Sequence, residues 1–125
     1  MRLYEPDDDR LRLVATSDGL GDRFADSRGP RRPGEGVSGE VFERGEPRVE
    51  ADLAATDDGR PYHGMRSVAA VPLDGHGAFV VGAVEPDAFD ESDVSVLELL
   101  AANAVAAMDT ADRRRRIRTY EDALK

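Results

Sequence analysis

Apolar positions are densest between Arg66 and Met108, where the chain reads RSVAAVPLDGHGAFVVGAVEPDAFDESDVSVLELLAANAVAAM. Residues 67–73 and 78–85 are rich in Val and Ala, and Asp74-Gly75-His76-Gly77 lies between them. That pattern predicts a β-hairpin. Neither run alternates with polar residues. Val68 and Ala70 share one side, and Ala69, Val71 and Leu73 the other; Phe79, Val81 and Ala83 likewise oppose Val80, Gly82 and Val84. Strands apolar on both faces lie in mid-sheet with cover on each side. The expectation is a sheet with helices on one face and a ligand or lid on the other.

The apolar spacing changes after Asp90. Val94, Leu97, Leu100, Ala101, Ala104, Val105 and Met108 recur at helical intervals and predict a stripe facing the sheet. Asp90 is a good N-cap, with Asp93 placed to bond back to its N–H. Neither Gly nor Pro interrupts the chain from there to Lys125. At 1.5 Å per residue such a helix is on the order of 50 Å long, against roughly 30 Å for a domain of this size. It must overshoot the body. The register also changes: Ala106, Thr110, Ile117, Tyr120 and Leu124 follow a heptad distinct from the sheet-facing stripe, which predicts a connector coil.

Upstream the elements are shorter. Residues 2–5 and 10–16 predict strands around the turn Pro6-Asp7-Asp8-Asp9. Residues 17–33 are polar and Gly/Pro-rich, with Leu20 and Phe24 as anchors, and predict a mobile loop. Residues 37–44 predict a short helix with Val37, Val41 and Phe42 inward, ended by Gly45-Glu46-Pro47. Residues 48–50 predict a strand, and 52–64 a second loop closing on Tyr62 and His63.

This order of motifs resembles a GAF domain. The family pattern of Arg-Ser, a Val-Pro-Leu strand, a Gly turn, a Gly-containing strand, then Phe-x-x-x-Asp opening a long Leu/Ala helix is matched by Arg66-Ser67, Val71-Pro72-Leu73, Gly77, Gly82, Phe89 and Asp93. Residues 34–53 are similar to the family's Gly-rich helix and short strand. The resemblance implies an α+β, PAS-related antiparallel sheet, with the long C-terminal helix on one face and loops over the other. It divides the chain into a sensory domain at 1–111 and a helical connector at 112–125. The family usually opens with a helix paired to the terminal one. Met1 lies almost inside the first strand, so a piece of a longer protein without that helix is expected, which weakens the family's parallel dimer.

The resemblance also implies a pocket between the sheet and the loops, lined by Phe24, Phe42, Val49, Asp52, Tyr62, His63, Met65, Arg66, Ala69 and Val71. Apolar walls with few polar groups suit a small organic ligand. Arg66 is placed to pair either with an anionic group on that ligand or with Asp52. The cyclic-nucleotide signature Asn-Lys-x-Phe-Asp-Glu is absent, and Phe89-Asp90-Glu91 matches only its end.

The chain has no cysteine, hence no disulfide, thiol nucleophile or thiolate metal site. Covalent bilin attachment and the family's rare sulfoxide-reductase activity lose their essential residue. The expectation is a domain that is not an enzyme, binds no metal and holds no cofactor. An acid/base carboxylate in the cavity, Asp52, is the weakest reading.

At 125 residues the chain suffices for one core. No signal-peptide pattern opens it and no apolar run approaches membrane-spanning length, so a cytoplasmic protein without a membrane partner is expected. Asp and Glu total 26 against 17 Lys and Arg, a net charge of −9, and Lys125 is the one lysine. Dense carboxylates with Arg in place of Lys resemble salt-adapted archaeal proteins, among them bacterio-opsin-activator-like regulators and archaeal sensor kinases. That charge argues against nucleic-acid binding. Residues 112–125 carry +3, so the remainder carries −12.

Gly34-Glu35-Gly36-Val37-Ser38-Gly39 matches the dinucleotide fingerprint, but Arg31-Arg32-Pro33 precedes it where a strand is required. It reads as flexible chain before a short helix. His76 reads as a solvated turn residue, and His63 as a loop histidine within reach of the cavity. The four arginines 113–116 point all round a helix, with Asp109 and Asp112 at pairing distance, and read as a solvated coil face. The expected function is a small-molecule sensor acting on a neighbouring output domain; the alternative is a dimerisation module with no small ligand.

Overall fold

The computed structural model describes residues 1–15, 29–53 and 65–124. Five strands form one antiparallel sheet: β1 (Arg2–Glu5), β2 (Arg10–Leu13), β3 (Arg48–Glu50), β4 (Ser67–Pro72) and β5 (Gly77–Ala83), in the order β2-β1-β5-β4-β3. Helices α1 (Gly36–Arg44) and α2 (Glu91–Ala123) complete the fold. The second strand ends at Leu13 rather than residue 16; Val14 donates to the Met1 carbonyl but is already half exposed.

The unalternated apolar pattern of β4 has the predicted cause. Val68 and Ala70 belong to a core cluster with Val37 and Val41 of α1 and with Leu53, while Ala69, Val71 and Leu73 pack with Leu97 and Ala101 of α2. One layer of strand separates the two helices. The second face is therefore covered by α1, with Leu53 and Met65 beside it.

Local chemistry sets the boundaries. Gly45, at φ 70, closes α1 with its N–H on the Val41 carbonyl. At the start of α2 the Asp93 N–H donates to Asp90 Oδ1 at 2.9 Å, and the Asp90 N–H donates to Asp93 Oδ2 at 2.9 Å, a reciprocal capping box. The Ser67 hydroxyl, fully buried, donates to the Glu85 carbonyl at 2.6 Å and so ties β4 to the segment entering α2. Gly34 stands in the turn before α1 and Gly36 and Gly39 lie in the first turn of the helix itself, beside an antiparallel sheet, which removes the dinucleotide-binding context.

α2 departs from the predicted stripe at Leu100, which is 50% exposed, while Leu97 and Ala101 are buried. A second line runs along its outer side through Val96, Leu99, Ile117, Tyr120 and Leu124, all exposed. Heptad spacing along this line also passes through Asn103, Ala106, Thr110 and Arg113, all exposed. An 18-residue stretch of α2 is long and apolar enough by composition to cross a bilayer, where the sequence reading found no such run. Part of that apolarity is accounted for by the sheet contact.

Candidate functional site

The chain crosses from β3 to β4 through residues 51–66, and the two ends of that passage are tied together. The Leu53 N–H donates to the Arg66 carbonyl at 2.6 Å, and the Arg66 N–H to the Ala83 carbonyl at 2.8 Å. Outside this backbone pairing, the Arg66 guanidinium forks onto Asp52, with Nε to Oδ1 at 2.9 Å and Nη2 to Oδ2 at 2.8 Å. The hydrogen bonds that Arg66 donates to Asp52, and then the charge of that carboxylate, raise the Arg66 pKa. Of the two partners open to Arg66 from sequence, the fold supplies Asp52. The same fork holds both carboxylate oxygens, which leaves Asp52 poorly placed as a general base.

Met65, next to this latch, packs against the α1-side cluster, and its sulfur lies where a Cβ on Gly82 would stand. That close approach explains the glycine in β5. Phe42 of α1 is partly buried and meets Tyr4 of β1, ring centroids 4.7 Å apart and tilted by 32°. Arg48 of β3 bonds to Glu40 of α1 at 2.5 Å and to Glu50 at 2.7 Å, fastening helix to sheet edge. Arg2 is buried on β1 and donates to the Gly29 carbonyl at 2.7 Å; burial, and then the charge of Arg31, lower its pKa to about 10.

Three predicted pocket residues lie elsewhere. Ala69 and Val71 are buried beneath α2, and Val49, paired with Ala69 across the β3–β4 ladder, shares that side. Alternation showed which residues share a face but not which helix covers it; Val68 and Ala70 are the β4 residues on the α1 side. Phe24, Tyr62 and His63 fall outside the described residues. The predicted set thus divides into Phe42, Asp52, Met65 and Arg66 around α1 and the β3–β4 passage, and Val49, Ala69 and Val71 on the α2 side.

Val49 instead borders an open recess of about 600 Å³ beside the start of α2. Phe89 and Val94 supply its other apolar wall, and Asp87, Asp90, Glu91 and Glu98 its carboxylates. From sequence these acids read as helix entry; only the return of β3 to the same place makes them a rim.

His76 also differs from its reading as a solvated turn residue. Its side chain is 24% exposed, and Nε2 lies 2.8 Å from Asp109 Oδ1 on α2.

A family model described as GAF domain matches residues 1–109. The chain is similar in structure to a free methionine-R-sulfoxide reductase from Neisseria meningitidis, with TM-score 0.68 and 25% identity over 90% of this chain and 66% of the other. It is also similar to the GAF domain of a phosphoenolpyruvate-protein phosphotransferase from Coxiella burnetii, with TM-score 0.72 and 22% identity over 90% of this chain and 71% of the other. A third similar structure, described as a domain of a two-component sensor histidine kinase from Sinorhizobium meliloti, has TM-score 0.58 and 18% identity over 92% of this chain and 81% of the other. No curated protein sequence matches the chain.

These likenesses correct one expectation. The sequence reading gave a domain that is not an enzyme, yet free methionine-R-sulfoxide reductases from several organisms share this fold, so the fold itself does not exclude catalysis. The 125 residues themselves contain no cysteine. The match over residues 1–109, with the antiparallel sheet and long C-terminal helix, makes this chain a member of the GAF domain family, whose members occur in sensor and regulatory proteins.

Proposed function

We propose that this GAF domain is the sensory module of a cytoplasmic signalling or transcription regulator. A small organic ligand on the α1 side alters the Asp52–Arg66 latch, and α2 carries the change to a neighbouring output domain. The observation that supports this is the construction of α2. Its inner stripe rests on β4, whose alternate residues touch the α1-side core, and its outer stripe is exposed. Close-packed layers transmit displacement because their side chains have no room to absorb it. Residues 112–125 are the connector, and the outer stripe is where a second copy of the chain pairs with this one.

A thermal-shift screen of the chain against metabolite sets, followed by hydrogen exchange, tests this reading. A ligand that raises Tm and changes exchange along α2 supports it. No shift with any compound, in a protein that still self-associates, favours the pure interaction module, which the exposed stripe alone would explain.

We further read the acidic surface as salt adaptation of the haloarchaeal type. With net charge −9, molar potassium chloride screens self-repulsion and should raise Tm by roughly 5 °C or more relative to low salt. A flat Tm contradicts salt adaptation and leaves the GAF reading intact.

A further inference from the structure

The β4–β5 turn and α2 meet at a group of side chains that the sensory reading does not use. His76, Asp109 and Asp112 each offer one ligand atom, and the three atoms lie within 4.8 Å of one another. We propose that these side chains form a divalent transition-metal site, zinc being the best fit, which pins α2 to the turn. The proposal does not require a small-molecule ligand on the α1 side.

The backbone beneath His76 is fixed. Its N–H donates to the Leu73 carbonyl at 2.8 Å, and its carbonyl accepts the Tyr4 N–H at 2.7 Å, so both the turn and β1 hold it. From this base Nε2 reaches Asp109 across 33 positions of sequence. Asp109 and Asp112 are three residues apart on α2 and project from one flank. One imidazole with two carboxylates suits a borderline cation such as Zn²⁺; Mg²⁺ and Ca²⁺ favour all-oxygen sets. Zinc–ligand bonds of about 2.0–2.2 Å place ligand atoms roughly 3.3 Å apart, so rotation of these partly exposed side chains closes the set. A fourth position remains for water.

Two contacts must yield. The His76–Asp109 hydrogen bond opens so that the Nε2 lone pair can face the cation. Arg115 holds Asp112 Oδ1 at 2.9 Å but is 76% exposed, and such surface pairs are weak. The site stands where the helix leaves the body: Met108 is the last α2 residue packed with the sheet-side core. A cation here joins the turn to the first part of the coil beyond that core and stiffens the root of the lever.

Isothermal titration of the whole chain with Zn²⁺, at high salt to suppress loose carboxylate binding, tests the proposal. One equivalent should bind saturably and raise Tm, and Mg²⁺ should not compete. His76→Asn should weaken binding by roughly tenfold or more. Asp112→Asn lies on the partly exposed side of a helix, so it tests the same loss should the turn variant fold poorly. Absence of saturable Zn²⁺ uptake overturns the site, as does uptake that both His76→Asn and Asp112→Asn retain in full. Ligand-induced changes on the α1 side would survive either result.

Discussion

Replacing Gly77 by valine should unfold the protein or detach its first two strands. Gly77 opens β5 at φ 156, and a Cβ there would collide with the Arg2 backbone carbonyl. Backbone cannot swing aside as a side chain can. β1 pairs with β5 through only two residue pairs, Arg2 with Ala78 and Leu3 with Gly77, so displacement at this point parts the β1–β2 hairpin from the sheet. The expected loss exceeds about 3 kcal/mol, a large share of the 5–15 kcal/mol that holds a typical domain folded. Gly75→Ala is the matched control. Its φ is also positive, at 83, but no atom lies within 4 Å of the added Cβ. It should cost about 1 kcal/mol, from conformation alone. Urea unfolding measures both; equal losses for the two variants would show that the close approach of β1 to β5 is not what glycine serves there.

The second large effect concerns association. Leu99 and Ile117 are 65% and 54% exposed in the single chain and lie on the outer heptad of α2. Changing both to glutamate should leave the fold's stability within roughly 0.5 kcal/mol, because neither side chain belongs to the core. In a pair of helices the same change buries like charges at the seam and should weaken self-association by about a hundredfold or more. Leu97→Glu, on the inner stripe and buried, should instead destabilise the fold. Asn103, Thr110 and Arg113 fall at the same heptad spacing; in a paired helix, polar groups there would lower affinity and set register. Analytical ultracentrifugation with parallel thermal melts separates the two stripes.

Much of this architecture was legible because local rules and the fold agree. The Asp90–Asp93 capping box, the left-handed Gly45 and the doubly apolar β4 each follow from residue type and spacing, and each stands in the structure where the pattern placed it. Family likeness then fixed the antiparallel order. What failed needed tertiary information. Ala69 and Val71 were put beneath the loops, since period-two alternation names the members of a face and not its neighbour. Leu100 was counted into the sheet-facing stripe because it fits helical spacing, yet α2 contacts the sheet along a narrower line through Leu97 and Ala101. His76 meets Asp109 only through folding of the intervening helix, and no local motif announces a pair so separated. Arg66 had two partners open to it, and the backbone pairing of Leu53 with Arg66 brings Asp52 into place.

In the proposed regulator, α2 holds the sheet with one side and a second copy of the chain with the other. The chain lacks cysteine, so single thiols can be placed at will. Ile117→Cys lies on the outer heptad, and Arg115→Cys faces the opposite side of the same exposed turn. Under mild oxidation, quantified by non-reducing electrophoresis, Ile117→Cys should form a disulfide-linked dimer in high yield and Arg115→Cys should remain monomeric. Equal linkage at both positions, or none at Ile117→Cys, would contradict the two-sided helix.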